Sequence, residues 1–288
     1  MAVKIDGRKI AESLKRDLKN AVASINKRDG CTLKLAALLI GSNASSELYM
    51  KSQKNLAAAL GIEYNPVYMA ANTGKKRIEK FINKLNNDAT VTGVIVQRPV
   101  PANLDFLKLC QMVSPSKDVE GLNPANIGRL IYGESSIVPC AAGACMKILD
   151  SLDMPLEGKE IVVVGHSETV GKPLSLMLLS KMATTTVCHI GTYKRGLLKH
   201  HVGGAEVLIV SVGKPNLING SWVRKGAVVI DVGINKLKNR VVGDVDFDSA
   251  SKKASYITPV PGGVGPVTSV ILMKNLVALY KNRSRKAK

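Results

Sequence analysis

The amino-acid sequence predicts an α/β fold in which two α/β domains flank a cleft. Strand-like apolar runs alternate with helical patterns over nearly the whole chain, as is typical of a parallel sheet with crossover helices. The length of 288 residues suits two domains of about 150 residues each. Turn-forming residues cluster between 115 and 139, so we expect the boundary in that stretch.

The first half of the chain has the order strand, helix, helix, strand, after an amphipathic helical pattern at its start. We assign residues 1–120 to this domain, together with a C-terminal helix at about 267–288 whose basic last residues, 281–288, we expect to be frayed and solvated. The predicted elements are a strand at 35–41, a helix from Ser45 to Leu60, a helix at 75–87 and a strand at 92–97.

The second half carries four short β-branched strand runs, each followed by a glycine or polar loop, with helical stretches between them. This succession predicts a Rossmann-like sheet, the kind that binds dinucleotides, over residues 121–266. The strand runs read EIVVVG, TTTVCHI, EVLIVSVG and AVVIDVGIN.

Composition narrows the classes of function. The 45% hydrophobic and 22% charged residues are those of a globular protein, which disfavours a disordered scaffold. The net charge of +19 indicates an anionic partner, but aromatic residues make up only 4% and no nucleic-acid-binding motif accompanies the basic residues. We therefore expect no nucleic-acid partner.

Cysteine usage and hydropathy favour a reducing, cytoplasmic location. The five cysteines are odd in number and scattered, and no CxxC pair suggests a metal site. No apolar run reaches the roughly 18 to 20 residues that cross a bilayer, so we expect neither a membrane segment nor a signal peptide.

A glycine-containing turn follows the first strand of the second half. In Gly165-His166-Ser167-Glu168-Thr169-Val170-Gly171, small residues would let a pyrophosphate approach the backbone at a helix N-terminus. A structural tight turn without a ligand is the alternative. After the next strand, where an acidic residue would read the ribose of NAD, the chain instead has Lys194 and Arg195. This composition favours NADP, although a solvated basic turn explains it equally well and NAD stays open.

Two further segments suggest a polar binding site. Tyr49 and Gln53 share one face of their helix, while Lys54 is turned by about 100° from Gln53. Gln97 ends a buried strand, and together with Tyr49 and Gln53 it could read a polar heterocycle through hydrogen bonds; solvated surface residues are the alternative. The loop Pro259 to Thr268 is rich in proline and glycine and suits either a binding wall or a rigid connector.

With these motifs in view, the chain resembles the methylenetetrahydrofolate dehydrogenase/methenyltetrahydrofolate cyclohydrolase (FolD-type) family over essentially its full length. The matching segments, in order, are GSNASSELYMKSQK, GVIVQRPVP, KDVEGLNPANIGRL, GHSETVGKP, VGKPNLINGSWVRKGAVVIDVGIN, GDVDF and PGGVGPVT. The resemblance implies an enzyme of one-carbon metabolism, linked to purine biosynthesis. Such an enzyme oxidises 5,10-methylenetetrahydrofolate with NADP and hydrolyses the methenyl product.

The resemblance also implies site residues, a homodimer, and tetrahydrofolate derivatives as substrates, with polyglutamylated forms left open. It places Tyr49, Gln97 and Glu120 in the catalytic site and Gln53 at the position of the family's catalytic lysine, and we keep the adjacent Lys54 as a further catalytic candidate. It assigns the NADP contacts to Gly165, His166, Ser167, Ile190 and Ile234, and the basic turn described above adds Lys194. It assigns the folate contacts to Tyr49, Gln97, Glu120 and Pro261, and we add the neighbouring Gly262.

The sequence departs from the family pattern at the position that matters most for hydrolysis. Four residues after Tyr49 the family has its catalytic lysine, and this chain has Gln53. An amide cannot exchange protons at neutral pH, so we expect dehydrogenase activity with weak or absent cyclohydrolase activity. The alternatives are a bifunctional enzyme that uses Lys54 or Lys51, or a catalytically impaired binding paralogue.

Other departures fall on the same motifs. Glu120 replaces an aspartate and His166 an arginine, while Ile190 replaces a frequent serine or arginine. Alanines replace the Thr, Pro and Gly of the family's PCTPxG segment at 141, 142 and 144. We expect these changes to alter the position of the bound folate and to weaken the binding of a phosphate.

Overall fold

The computed structural model describes residues 1–238 and 240–286 and divides the chain into two compact units. One unit consists of Met1–Glu12 with Pro139–Thr268, and the other of Ser13–Val138 with the chain from Ser269 onward. The strands are β1 (Val3–Lys4), β2 (Lys34–Ile40), β3 (Glu63–Met69), β4 (Gly93–Val96), β5 (Glu160–Val164), β6 (Thr184–Cys188), β7 (Val207–Val210), β8 (Val228–Asp231), β9 (Asn235–Leu237), β10 (Arg240–Val242) and β11 (Tyr256–Ile257). The helices are α1 (Gly7–Asp29), α2 (Ala44–Leu60), α3 (Lys75–Asn87), α4 (Phe106–Met112), α5 (Pro124–Ile131), α6 (Cys140–Asp150), α7 (Gly171–Leu179), α8 (Ile190–Lys194), α9 (Leu198–Gly204), α10 (Phe247–Ala250) and α11 (Val264–Lys286), with a 3₁₀ turn at Gly220–Trp222.

A three-stranded parallel sheet in the order β3-β2-β4 forms the centre of the unit that contains residues 13–138. The central strand β2 is buried along almost its whole length, and α3 and α4 pack their apolar residues against one face. The helix α2 begins where the Asn43 side chain accepts the Ser46 N–H and ends at Gly61, whose φ of 75° is favourable only for glycine. These boundaries fix which residues of α2 face inward.

The prediction for this unit omitted one strand. Between α2 and α3 the chain forms β3, an edge strand whose sequence EYNPVYM contains Pro66 and alternates between exposed and partly buried residues. Proline is tolerated at an edge because its missing N–H is not needed by a neighbouring strand. The same proline and the polar residues weakened the strand pattern in the sequence.

A six-stranded parallel sheet in the order β1-β11-β8-β7-β5-β6 forms the other unit, and this confirms the Rossmann-like prediction. The four predicted runs are the inner strands β5, β7 and β8 together with the edge strand β6. The strands β1 and β11 extend the sheet beyond β8 but have two residues each, too few to show a period. A β9–β10 hairpin stands apart from this sheet.

The two ends of the chain also differ from the prediction. The first residues form the strand β1, and the amphipathic helix α1 starts only at Gly7. The last helix starts at Val264 and continues to Lys286, so most of the predicted frayed tail is helical. Arg283 donates from its guanidinium to the carbonyl oxygens of Val91 and Thr92, at 3.2 and 3.1 Å. Ala287 and Lys288 lie outside the described residues.

Candidate active site

The turn between β5 and α7 brings two glycine backbones into close contact. Gly165 has a φ of 124°, and a Cβ atom there would overlap the backbone carbonyl of Ser211. A Cβ atom on Gly171 would overlap the carbonyl of Gly165. The turn therefore needs glycine at both positions, and the backbone packs tightly where β5 gives way to α7.

A cavity of about 400 Å³ lies beside this turn. Four of the six residues assigned to the NADP contacts line it, and Lys194 and Ile234 do not. Lys194 is exposed at the end of α8, and Ile234 lines a separate hollow of about 190 Å³ together with Pro261 and Gly262. The four lining residues are Gly165, His166, Ser167 and Ile190.

Basic and polar groups surround the cavity where an NAD enzyme would carry an acid. After the end of β6 comes His189, whose Nδ1 accepts the N–H of Gly191 at 3.1 Å and caps α8. The rings of His166 and His189 lie 5.3 Å apart between centroids. Lys214 also lines the cavity, with its ammonium 5.2 Å from the ring centre of Tyr193. These groups can face a phosphate.

Glu168 is the only carboxylate along this cavity in the described part of the chain, and it is already engaged. Its side chain accepts a 2.7 Å hydrogen bond from Lys172, which lowers the pKa of the carboxyl. The acid is therefore neutralised by a neighbour one helical turn away.

Two buried aspartates shape the loops around this unit's cavities. Asp244 accepts the backbone N–H groups of Val212 and Gly213, at 2.6 and 2.9 Å, and so fixes the chain after β7. Asp231 accepts the N–H groups of Gly233, Asp244 and Val245. Burial raises the pKa of Asp231 to about 7, and the hydrogen bonds partly offset this rise.

The proline- and glycine-rich loop packs against the start of α1. The N–H of Gly7 donates to the carbonyl of Gly262 at 3.0 Å, and a Cβ atom on Gly7 would overlap the carbonyl of Gly263. Gly262 has a φ of 105°, which disfavours any other residue. The loop is held in one shape, and Pro261 and Gly262 form one wall of the smaller hollow.

In the other unit, the amide of Gln53 lies at the centre of a buried hydrogen-bond cluster. Gln53 is 0% exposed, and its Oε1 accepts the Tyr64 hydroxyl at 2.8 Å and the Gln97 Nε2 at 2.9 Å. Its Nε2 is buried and has no hydrogen-bond partner among the described residues. The structure thus brings Gln53 and Gln97 together, as the sequence suggested, and adds Tyr64.

The neighbouring lysines point away from this cluster. The helix α2 is continuous from Ala44 to Leu60, so Lys54 lies about 100° around the axis from Gln53. Lys51 and Lys54 are both exposed, while Tyr49 is 36% exposed. Neither lysine occupies the position of the Gln53 amide.

In the segment from Lys117 to Glu120, the side chains of Lys117 and Asp118 hold the local structure by hydrogen bonds. The buried Lys117 donates from Nζ to the carbonyls of Leu85 and Asp88 and caps the end of α3. Asp118 accepts the N–H groups of Gly121 and Asn123, at 3.0 and 2.8 Å, and so holds the loop. The N–H of Val94 donates to the carbonyl of Lys117, which ties this loop to β4.

Glu120 is left as the carboxyl that this loop does not use. It is partly buried, and no hydrogen bond or ion pair engages it among the described residues. Burial, with a smaller contribution from Asp118, raises the pKa of Glu120 to about 8, whereas Arg98 lowers it. The Arg98 guanidinium lies 4.7 Å from the ring centre of Phe106, which holds this charge in place.

Sequence reasoning missed three residues that the structure adds to these sites. Tyr64 could have been noticed because alternation along a strand places it on the same face as Tyr68, but the strand itself was not predicted. Arg98 occupies a position where the compared family motif has leucine. Asp244 is within the quoted segment GDVDF, yet nothing local indicates which distant N–H groups it accepts.

The described residues offer neither a metal-binding cluster nor a membrane-spanning helix. No group of three or more His, Cys, Asp or Glu side chains is placed to hold a metal ion there. None of the helices in those ranges combines the length and the hydropathy needed to cross a membrane.

Comparison with known proteins extends over the whole chain. The family model for the "Tetrahydrofolate dehydrogenase/cyclohydrolase, catalytic domain" matches residues 5–120, and the model for its "NAD(P)-binding domain" matches residues 139–284. A "Bifunctional protein FolD" from Nitratiruptor sp. is 40% identical over 282 residues, which cover 98% of this chain and 99% of the relative.

Solved structures give the same result. The FolD methylenetetrahydrofolate dehydrogenase/cyclohydrolase from Campylobacter jejuni is 39% identical with a TM-score of 0.93, over 98% of this chain and all of that one. The Trypanosoma brucei enzyme, solved with NADP cofactor and an inhibitor, is 35% identical with a TM-score of 0.93, over 99% of each chain. The chain described above therefore belongs to the tetrahydrofolate dehydrogenase/cyclohydrolase family.

Proposed function

We propose that this chain oxidises 5,10-methylenetetrahydrofolate to 5,10-methenyltetrahydrofolate with NADP, and that its hydrolysis of the methenyl product is weak or absent. Family membership supports the first part. The observation that carries the second part is the buried amide of Gln53 at the position of the family's catalytic lysine.

The turn between β5 and α7 fits a dinucleotide. The cavity of about 400 Å³ beside this turn has room for part of a dinucleotide, and His166, His189 and Lys214 line it with polar groups that can contact a ribose phosphate. NADP would accept the hydride. Gly165, His166, Ser167 and Ile190 are the contacts that we favour, with Ile234 proposed from the family resemblance and Lys194 from the basic turn that follows β6. We assign NADP binding to residues 121–266.

Folate binding is assigned to residues 1–120 and the last helix. Tyr49, Gln97 and Glu120 are proposed to bind the pterin and aminobenzoate, with Pro261 and Gly262 added from the family resemblance. The oxidation generates a cation stabilised by a folate nitrogen, so the residues must position the substrate more than remove a proton. Hydrogen-bonding amides can do this without titrating.

Hydrolysis makes a different demand. Water adds to the methenyl carbon, and a nearby group must take up or deliver a proton. The Gln53 amide cannot do so, and Lys51 and Lys54 are exposed on other faces of α2. The name of the relatives favours a second candidate, a bifunctional enzyme that reaches 10-formyltetrahydrofolate by means of Lys54 or Lys51. The direction of those two side chains favours our first proposal.

We extend the proposal to the state and location of the protein. The family resemblance suggests a homodimer, and five free cysteines suit a reducing cytoplasm. The net charge of +19 suits anionic substrates, including polyglutamylated folates. Sedimentation velocity and a comparison of KM for monoglutamate and pentaglutamate substrates test these points.

Two measurements on one preparation separate an enzyme from a binding paralogue. Calorimetric titration with NADP and with a folate analogue measures binding, and NADPH absorbance with 5,10-methylenetetrahydrofolate measures hydride transfer. We expect binding of both ligands and steady turnover. Binding without turnover would contradict the proposed dehydrogenase activity and favour the impaired paralogue.

A further inference from the structure

The orientation of one buried amide suggests a role for a residue outside the family motifs. Both hydrogen bonds that reach Gln53 end on its oxygen, from the Tyr64 hydroxyl at 2.8 Å and from Gln97 Nε2 at 2.9 Å. The nitrogen of the same amide is buried without a partner among the described residues. A buried unpaired N–H is costly, so a protein retains one where a ligand can accept from it.

The two partners of the oxygen are both donors. An amide nitrogen can only donate, so the Gln97 contact requires an acceptor on Gln53. Burial raises the pKa of the Tyr64 phenol above its usual range, and the nearby Tyr68 and Tyr49 raise it further, so this group stays protonated. Turning the Gln53 amide over would bring its nitrogen against the nitrogen of Gln97. The Gln53 oxygen is therefore held towards Tyr64 and Gln97.

The sheet explains why Tyr64 can serve this purpose. The strands β3 and β4 lie on either side of β2, with Tyr64 opposite Leu35, and the N–H of Gln97 donates to the carbonyl of Leu38 at 2.8 Å. Both side chains meet the inward face of α2 at Gln53. The Gln53 amide on α2 is therefore held by Tyr64 on β3 and by Gln97 at the end of β4. These three residues belong to separate elements of one unit.

We propose that Tyr64 is a positioning residue that, together with Gln97, fixes the Gln53 amide with its oxygen occupied and its Nε2–H offered to a hydrogen-bond acceptor of the folate. The proposal rests on the proposed function and deepens it. The site then presents a donor where the family has a lysine, so it can bind a folate carbonyl or ring nitrogen but cannot accept a proton from water.

Tyr64→Phe removes one of the two donors and keeps the ring. We expect the KM for 5,10-methylenetetrahydrofolate to rise about tenfold, the effect of one hydrogen bond, because Gln97 alone then holds the Gln53 amide and its position is less well fixed. We expect kcat and the KM for NADP to stay within about twofold. Tyr68→Phe is the matched control, since Tyr68 is on the same strand and 63% exposed; it should leave all three values unchanged.

Gln53→Glu tests the direction of the amide. The carboxylate still accepts from Tyr64 and Gln97, but it places an oxygen where the wild type has Nε2–H. We expect a larger rise in the folate KM than for Tyr64→Phe, of about 100-fold. Thermal unfolding of each variant, and its NADP titration, identify any that fails to fold. If Gln53→Glu is poorly folded, Tyr64→Phe alone decides.

The outcomes separate the inference from the proposed function. An active wild type whose folate KM is unchanged by Tyr64→Phe, or by a folded Gln53→Glu, overturns the role of Tyr64. If the wild type binds folate without turnover, the proposed dehydrogenase activity is contradicted. The Kd of a folate analogue, measured in the same variants, then tests the role of Tyr64. A wild type that binds no folate overturns both.

Discussion

At the scale of single residues, Glu120 carries its carboxyl one methylene farther from the backbone than the aspartate of the family motif. The carboxyl lies in a partly buried position near Asp118, and its pKa is raised to about 8. The loop uses Asp118 for its own N–H groups, so Glu120 is the group available to a substrate. A pterin presents N–H donors, and only the carboxylate form accepts them strongly.

Folate binding should therefore depend on pH. We expect kcat/KM for the folate to rise with pH through about 8 as Glu120 loses its proton, and Glu120→Gln should remove this rise. Arg98→Leu removes the charge that lowers the pKa, so the profile should move to higher pH. The free energy of unfolding should fall as the pH rises from the ordinary glutamate pKa to about 8, because in that range only the folded chain keeps the proton on Glu120. An unchanged profile in Glu120→Gln would contradict this assignment.

We expect a substitution at His166 to change the preference between NADP and NAD. His166 is exposed at the cavity, beside His189, in the position where the family motif has arginine. A guanidinium binds a phosphate through two parallel hydrogen bonds. His166→Arg should lower the KM for NADP by about tenfold and leave that for NAD unchanged. Steady-state kinetics with both cofactors checks this, and equal effects on the two would show that His166 does not face the 2′-phosphate.

At the scale of elements, the turn between β5 and α7 tolerates little substitution. Gly165→Ala would combine an unfavourable φ with an overlap onto the Ser211 carbonyl. We expect it to lower the free energy of unfolding by about 2 kcal/mol or more and to abolish NADP binding. Gly158→Ala is the control, since Gly158 has a φ of 70° with open space around it and should cost less. Urea denaturation and NADP titration measure both effects; equal losses in the two variants would show that the Ser211 contact is unimportant.

Elements with a strong period or a motif were predictable, and those defined by their neighbours were not. The buried strands β2, β4, β5, β7 and β8 read as β-branched or apolar runs. Helix spacing and a strand end only suggested that Gln53 and Gln97 converge, and left solvated surface residues as the alternative; the structure shows the contact. The strand β3 was missed because Pro66 and polar residues suit an edge. Tyr64 was lost with it. The helical continuation to Lys286 depends on Arg283 reaching carbonyls almost 200 residues earlier, which no local pattern reports.

At the scale of the whole molecule, the charge of +19 has a narrower meaning than the sequence suggested. Several lysines form local ion pairs, such as Lys172 with Glu168 and Lys159 with Glu206, and these contribute little to binding. The basic groups that line the cavity beside the β5–α7 turn are few. The excess charge therefore serves general attraction of anionic substrates, and specificity depends on a small number of placed side chains.

The separation of the two reactions is the central claim, and one time course tests it. A single preparation is mixed with 5,10-methylenetetrahydrofolate and NADP, and NADPH and the methenyl product are followed together. We predict one methenyl product for each NADPH, decaying at the uncatalysed rate, and faster decay in Gln53→Lys. The contrary result would be that the wild type hydrolyses the methenyl product at a rate well above the uncatalysed rate, and that Lys54→Ala abolishes this hydrolysis.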